Sequence, residues 1–67
     1  MTLEFDLRPS FGRLRYYPVG DRATALVSIT GRKCLTSEEL ETLERGGFQL
    51  LVYENGTIIQ DTAREGR

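Results

Sequence analysis

The sequence predicts the α+β class from three features. Leu3, Phe5 and Leu7 alternate with Thr2, Glu4 and Asp6, which is the two-residue period of a half-buried strand. Thr36 and Glu39 have capping-box spacing, and Gly46-Gly47 supplies a left-handed stop for the helix between them. Asn55-Gly56 separates two apolar runs, a strong short-range hairpin signal. Together they predict a small, mostly antiparallel sheet in the order β-β-β-α-β-β, with one short helix packed on it.

The first strand is expected over residues 2–7, broken by Arg8-Pro9-Ser10, because proline cannot donate to a ladder. A second is expected over residues 12–19, with Tyr16 and Phe11 on the core side and Arg13, Arg15 and Tyr17 opposite. Pro18 and Gly20-Asp21 read as a turn into a third strand over residues 23–30, where Ala25, Val27 and Ile29 alternate with Thr24, Leu26 and Ser28. The helix after Thr36 has a narrow stripe, Leu40 and Leu43, and is too short to persist undocked. Residues 48–53 and 57–60 form the closing hairpin, pairing Tyr53 with Ile58 and Val52 with Ile59. That register puts Phe48, Leu50, Val52 and Ile59 on one face and Leu51, Tyr53 and Ile58 on the other. Both faces are apolar, and the helix covers one of them. The domain is expected over residues 1–60, with a disordered polar tail over residues 61–67.

A chain of 67 residues builds one core at most, which rarely supplies more than about 3–5 kcal/mol of net stability. Cys34 is the single cysteine and there is no histidine, so neither a disulfide scaffold nor a zinc centre is expected. That usage suits a reducing, cytoplasmic setting. No stretch has the unbroken apolar run of a signal peptide or membrane span, so no membrane partner is expected. The net charge of −1 hides an asymmetry. Residues 1–33 carry six cations against three carboxylates, and residues 34–67 carry three against seven.

Catalysis has little to work with. Without imidazole, Cys34 has only Arg32, Lys33 and the following helix start to activate it, and a small apolar packing role explains it as well. Glu38, Glu39, Glu41 and Glu44 read as the solvated side of a helix. No catalytic, metal or cofactor-binding residue is therefore nominated. Gly31-Arg32-Lys33 leads into the helix start at Thr36, where free amides and two cations suit an anion, though a plain charged loop fits too. Arg13, Arg15 and Tyr17 share a strand face that suits a protein interface, nucleic acid, or simple pairing with Glu4 and Asp6. The second apolar face of the closing hairpin, Leu51, Tyr53 and Ile58, marks a partner site or a homodimer contact.

Leu14-Arg15-Tyr16-Tyr17-Pro18, Leu35-Thr36-Ser37-Glu38-Glu39-Leu40, the glycine pair before Phe48-Gln49-Leu50-Leu51-Val52, and Asn55-Gly56-Thr57-Ile58-Ile59 form a series. Over residues 13–60 it resembles the amino-terminal domain of polyhydroxyalkanoate-synthesis repressors. That resemblance implies a bacterial DNA-binding regulator whose basic first strands matter most. The residues read by themselves favour a non-catalytic binding module acting by protein–protein contact, in the manner of a bacterial or phage accessory or inhibitor protein. The partner-binding residues expected are Arg13, Arg15, Tyr17, Arg32 and Lys33 for polar contacts and Leu51, Tyr53 and Ile58 for an apolar interface; a nucleic-acid-binding regulator would use the same arginines and tyrosine.

Overall fold

The computed structural model describes residues 2–62. Its elements are β1 (Thr2–Ser10), β2 (Arg13–Val19), α1 (Gly20–Ser28), α2 (Ser37–Arg45), β3 (Gln49–Glu54) and β4 (Thr57–Asp61). The strands form one mixed sheet in the order β2-β1-β3-β4. β1 is antiparallel to β2 and parallel to β3, and β3 is antiparallel to β4. The α+β class and the mostly antiparallel sheet agree with the sequence reading. The element order is β-β-α-α-β-β, and it differs at one place.

The strand expected over residues 23–30 is the helix α1. Its apolar residues satisfy two periods at once. Read every second residue, they bury Ala25, Val27 and Ile29. Read at helical spacing, they bury Ala23 and Val27, with Leu26 beside them. The core takes the second set: Ala23 and Val27 are buried, Ala25 is exposed and Ile29 is 82% exposed. The β-branched residues were misleading because tertiary packing outweighs their weak intrinsic preference. Gly20, at φ +84, reverses the chain out of β2 into the helix, and the Thr24 hydroxyl donates to the Gly20 carbonyl at 2.7 Å. Gly31, at φ +76, lies just past the other end.

α2 matches its sequence signal. The Thr36 hydroxyl accepts from the Glu39 amide at 3.2 Å, and the Thr36 amide donates to the Glu39 carboxylate at 2.9 Å. Its buried residue is Leu40, with Leu43 half-buried at the core margin.

Both helices cover the same side of the sheet. Leu3 and Phe5 of β1 lie beside Leu50 and Val52 of β3, and Ala23, Val27, Leu35 and Leu40 close over them. Leu7, Tyr16, Leu26, Leu43 and Phe48 flank this cluster.

Three further expectations are corrected. β1 does not stop at Arg8 but runs through Pro9 to Ser10. Tyr16 exchanges both backbone hydrogen bonds with Leu35 at 2.9 Å, so it turns its polar groups away from β1. By alternation, Pro9, opposite Leu14, faces the side where β3 would lie, and β3 pairing ends at Asp6 and Tyr53. The missing donor therefore costs no ladder bond. Phe11, expected on the core side, sits fully exposed in the β1–β2 turn. In the closing hairpin Tyr53 pairs with Ile58 as expected, but a bulge pairs Val52 with Gln60 and leaves Ile59 46% exposed. Two residues expected in the tail, Asp61 and Thr62, are bonded to the sheet. Asp61 ends β4, and the Leu50 amide donates to the Thr62 hydroxyl at 2.7 Å. The rest of that tail, residues 63–67, lies outside the described residues.

The helix reading of residues 20–28 separates two neighbouring positions. Val27→Asp buries an unpaired charge and should abolish cooperative unfolding, since a core this small rarely supplies more than about 3–5 kcal/mol. Ile29→Thr should change stability by no more than about 0.5 kcal/mol. Urea denaturation followed by circular dichroism reads both; equal losses would restore the strand.

Candidate functional site: the open face of the sheet

With both helices on one side, the other face of the sheet has no element over it among the described residues. Directly paired residues point to the same face, so the register gives its layout row by row. The middle row is Tyr17, Asp6, Tyr53 and Ile58, from β2 across to β4. On one side lies the row of Val19, Glu4, Leu51 and Asp61. On the other side, where β3 no longer pairs, Arg15 lies opposite Arg8 and Arg13 opposite Ser10. Six of the eight residues nominated from sequence therefore share this face: Arg13, Arg15, Tyr17, Leu51, Tyr53 and Ile58.

The face is polarised along the strands. Arg8, Arg13 and Arg15 gather at the hairpin end, while Glu4 and Asp61 lie at the other. The middle is held by internal bonds. Arg8 Nε donates to Asp6 Oδ2 at 2.8 Å, and its guanidinium lies 5.4 Å from the Tyr17 ring centroid. The Tyr53 hydroxyl donates to Glu4 Oε1 at 2.9 Å. This bond, with burial and the nearby charges of Glu4 and Asp61, raises the Tyr53 pKa above that of an ordinary phenol. Both tyrosine rings thus have a partner before anything docks, which reduces the ordering a ligand would demand.

The pairing of Arg13 and Arg15 with Glu4 and Asp6, weighed from sequence, does not occur. β1 supplies its own cation at Arg8, and the register places Arg15 opposite Arg8. Among the described residues, neither Arg13 nor Arg15 makes a salt bridge. Arg8 and Val19 of this face were not singled out from sequence, and Glu4 and Asp6 entered only as candidate partners of Arg13 and Arg15. The spacing of two along Glu4, Asp6 and Arg8 was visible, but not that β1 is a central strand.

Arg32 and Lys33 lie elsewhere, in the turn between the helices. Arg32 donates to the Glu39 carboxylate, which also accepts from the Thr36 amide. The anion suited to that turn is thus supplied by the chain itself. Those two donors hold the Glu39 pKa below the usual carboxylate range, the backbone bond contributing most. Lys33 is exposed and Cys34 is half-buried beside Leu35. Among the described residues no three His, Cys, Asp or Glu side chains gather as metal ligands, and no helix is long and apolar enough to cross a membrane. Comparison with family models, curated proteins and solved structures finds no match to this chain.

Two titrations test this geometry. In an ultraviolet pH titration Tyr53 should give a component that ionises above the ordinary phenol range, Tyr53→Phe should remove it, and Glu4→Gln should move it down; a parent titration with no component that Tyr53→Phe removes at high pH would rule out the Tyr53–Glu4 bond. Glu39, with its folded pKa lowered, contributes stability that is present above the ordinary glutamate pKa. That stability is lost as pH falls through the lowered folded value. Glu39→Gln should therefore weaken the fold at neutral pH and flatten the acid side of the stability profile; an acid limb as steep as the parent's would show that the bonds of the Glu39 carboxylate to Thr36 and Arg32 contribute nothing.

Proposed function

We propose that the chain is a non-catalytic binding module that acts by protein–protein contact through the open face of its sheet. The observation that carries this reading is the convergence of Tyr17, Leu51, Tyr53 and Ile58 with an arginine cluster on one uncovered surface. Aromatic, aliphatic and arginine side chains together are the composition of interface anchors. Ile58, 54% exposed, is the apolar group whose burial a partner gains most directly. The arginines favour a partner with carboxylates over the hairpin end and an apolar patch over the β3–β4 half.

Size limits how such a partner binds. Four strands at about 4.8 Å spacing are about 14 Å across, and the shared rows run about 20 Å along the strands. That is well short of the roughly 800 Å² per partner of a standard stable interface. Contact through this face alone is therefore transient.

A nucleic-acid-binding regulator, the reading implied by the repressor resemblance, has its own support. Residues 7–20 contain Arg8, Arg13 and Arg15 and no carboxylate, which is a local excess of +3 in a chain of net −1. Against it, the same face carries Glu4, Asp6 and Asp61, and phosphate binding is usually spread over more cations than three.

Affinity capture from the native host, with the proteins identified by mass spectrometry, separates these readings. Partners should be lost with the double variant Arg13→Glu, Arg15→Glu and with Ile58→Asp, and kept with Lys33→Glu on the helix side. Retention of every partner by both face variants would remove the open face from consideration. A gel-shift titration decides the alternative: phosphate contacts weaken binding steeply with salt, by a log–log slope of about 0.9 per phosphate neutralised. Absence of any shift at low salt ends the nucleic-acid reading.

A further inference from the structure

The two hairpin turns of this molecule have the same backbone and different residues. Asn55-Gly56 sits at φ +52 and +80, and Phe11-Gly12 at φ +52 and +78. Asparagine is among the side chains best suited to the first of these left-handed positions, whereas a bulky residue there is an outlier. Phe11 gains nothing in return from its own fold. It is 104% exposed and packs on none of the described residues. A strained backbone that holds an aromatic ring out in water points to a use outside the fold that carries it.

The ring projects from an arm of definite charge. Beyond Asp6 and Tyr53 the β1–β2 pair continues without β3, through Leu7↔Tyr16 to Ser10↔Arg13. This two-stranded arm carries Arg8, Arg13 and Arg15, and Leu14 on it is 57% exposed.

A receptor of matching chemistry lies on the helix side of the same molecule. Leu26, Ile29, Leu35 and Leu43 line an open groove of about 290 Å³ between the end of α1 and α2, with Glu39 at its margin. An apolar cavity of about 150 Å³ is enough to hold benzene, so a phenyl ring has room here. α2, which forms one wall, carries Glu38, Glu41 and Glu44 against Arg45, besides Glu39, which is already held by Arg32. An apolar tip with an arginine collar thus has a counterpart in an apolar groove beside a carboxylate-rich helix. Phe11 does not reach the groove of its own chain, since it touches nothing there.

We propose that Phe11 of one copy seats in the α1–α2 groove of a second copy, with the arginines of the arm lying over the carboxylates of α2. The contact joins two different surfaces. It is heterologous, and a pair joined this way still has one unused groove on one copy and one unused tip on the other, so it propagates into rings or open chains rather than closing as a dimer. It shares the arginines at the hairpin end of the open face with the function proposed above but not the apolar half around Ile58, so Ile58→Asp tells the two apart.

Sedimentation velocity over a concentration series reaching the millimolar range tests it. The average mass of the parent protein should keep rising beyond that of a dimer, and added salt should lower it. Phe11→Asn should raise the melting temperature, because it relieves the turn, and yet leave a monomer. That pairing of effects guards against a variant that merely misfolds. Ile29→Glu, at an exposed position of the groove, should also give a folded monomer. An equal mixture of the two variants should form a one-to-one dimer and stop there, since only one intact tip and one intact groove remain to meet. Ile58→Asp should assemble as the parent does. A parent protein that stays monomeric throughout, a fixed dimer that survives Phe11→Asn, or a variant mixture that stays monomeric would each overturn the proposal. So would a dependence on Phe11 that appears only when anionic vesicles or nucleic acid are added.

Discussion

Phe5 lies at the centre of the fold, with β2 on one side of its strand and β3 on the other, and has no exposed surface. Its neighbour across the parallel ladder is Val52, equally buried, and Leu3 and Leu50 repeat the arrangement one step along. These four side chains form the floor on which Ala23, Val27, Leu35 and Leu40 rest. β1 and β3 are far apart in sequence, so this ladder forms only after the chain has closed a long loop through both helices. The helices depend on it in turn, because neither is long enough to persist alone. A single seam therefore decides whether the molecule folds.

The same economy explains why one face stays open. Two helices of this length cover one side of a four-stranded sheet, and the described residues hold no further element for the other. The uncovered side is consequently furnished with tyrosines, paired charges and a few aliphatic groups rather than with a continuous apolar layer. Its two β1 carboxylates are already engaged: Glu4 with Tyr53, and Asp6 with Arg8. Such a surface is compatible with water and still offers aromatic edges and arginines to a partner.

Most of this was legible in the residues, and the exceptions have identifiable physical causes. The alternation of Leu3, Phe5 and Leu7, the Thr36–Glu39 box and the Asn55-Gly56 turn each place an element correctly, because each is a local signal with a local cause. Ala23, Leu26 and Val27 fit a helix as well as alternating residues fit a strand, and only the sheet beneath them chooses between the two. Phe11 was assigned to the core by alternation, which fails once Phe11 and Gly12 form the turn. The grouping of Arg13, Arg15 and Tyr17 with Leu51, Tyr53 and Ile58 emerges only from strand order, since the two sets lie on non-adjacent strands with β1 between them. Arg32 and Lys33 stand with Arg13 and Arg15 among the expected polar contacts because sequence gives charge without direction. The structure puts them in the turn between the helices, where Arg32 meets Glu39.

The placement of the prolines bears on how the sheet meets other chains. Along the outer margin of β2 the backbone groups of Tyr16 are taken by Leu35, and Pro18 has no amide to offer, which leaves Leu14 alone with a free donor. At the far margin the irregularity at Ile59 bends β4 away from a straight template. Neither border readily recruits an additional strand. The protein can thus expose a sheet at high concentration with little tendency toward amyloid-like stacking, and its encounters are directed to side chains rather than to peptide groups.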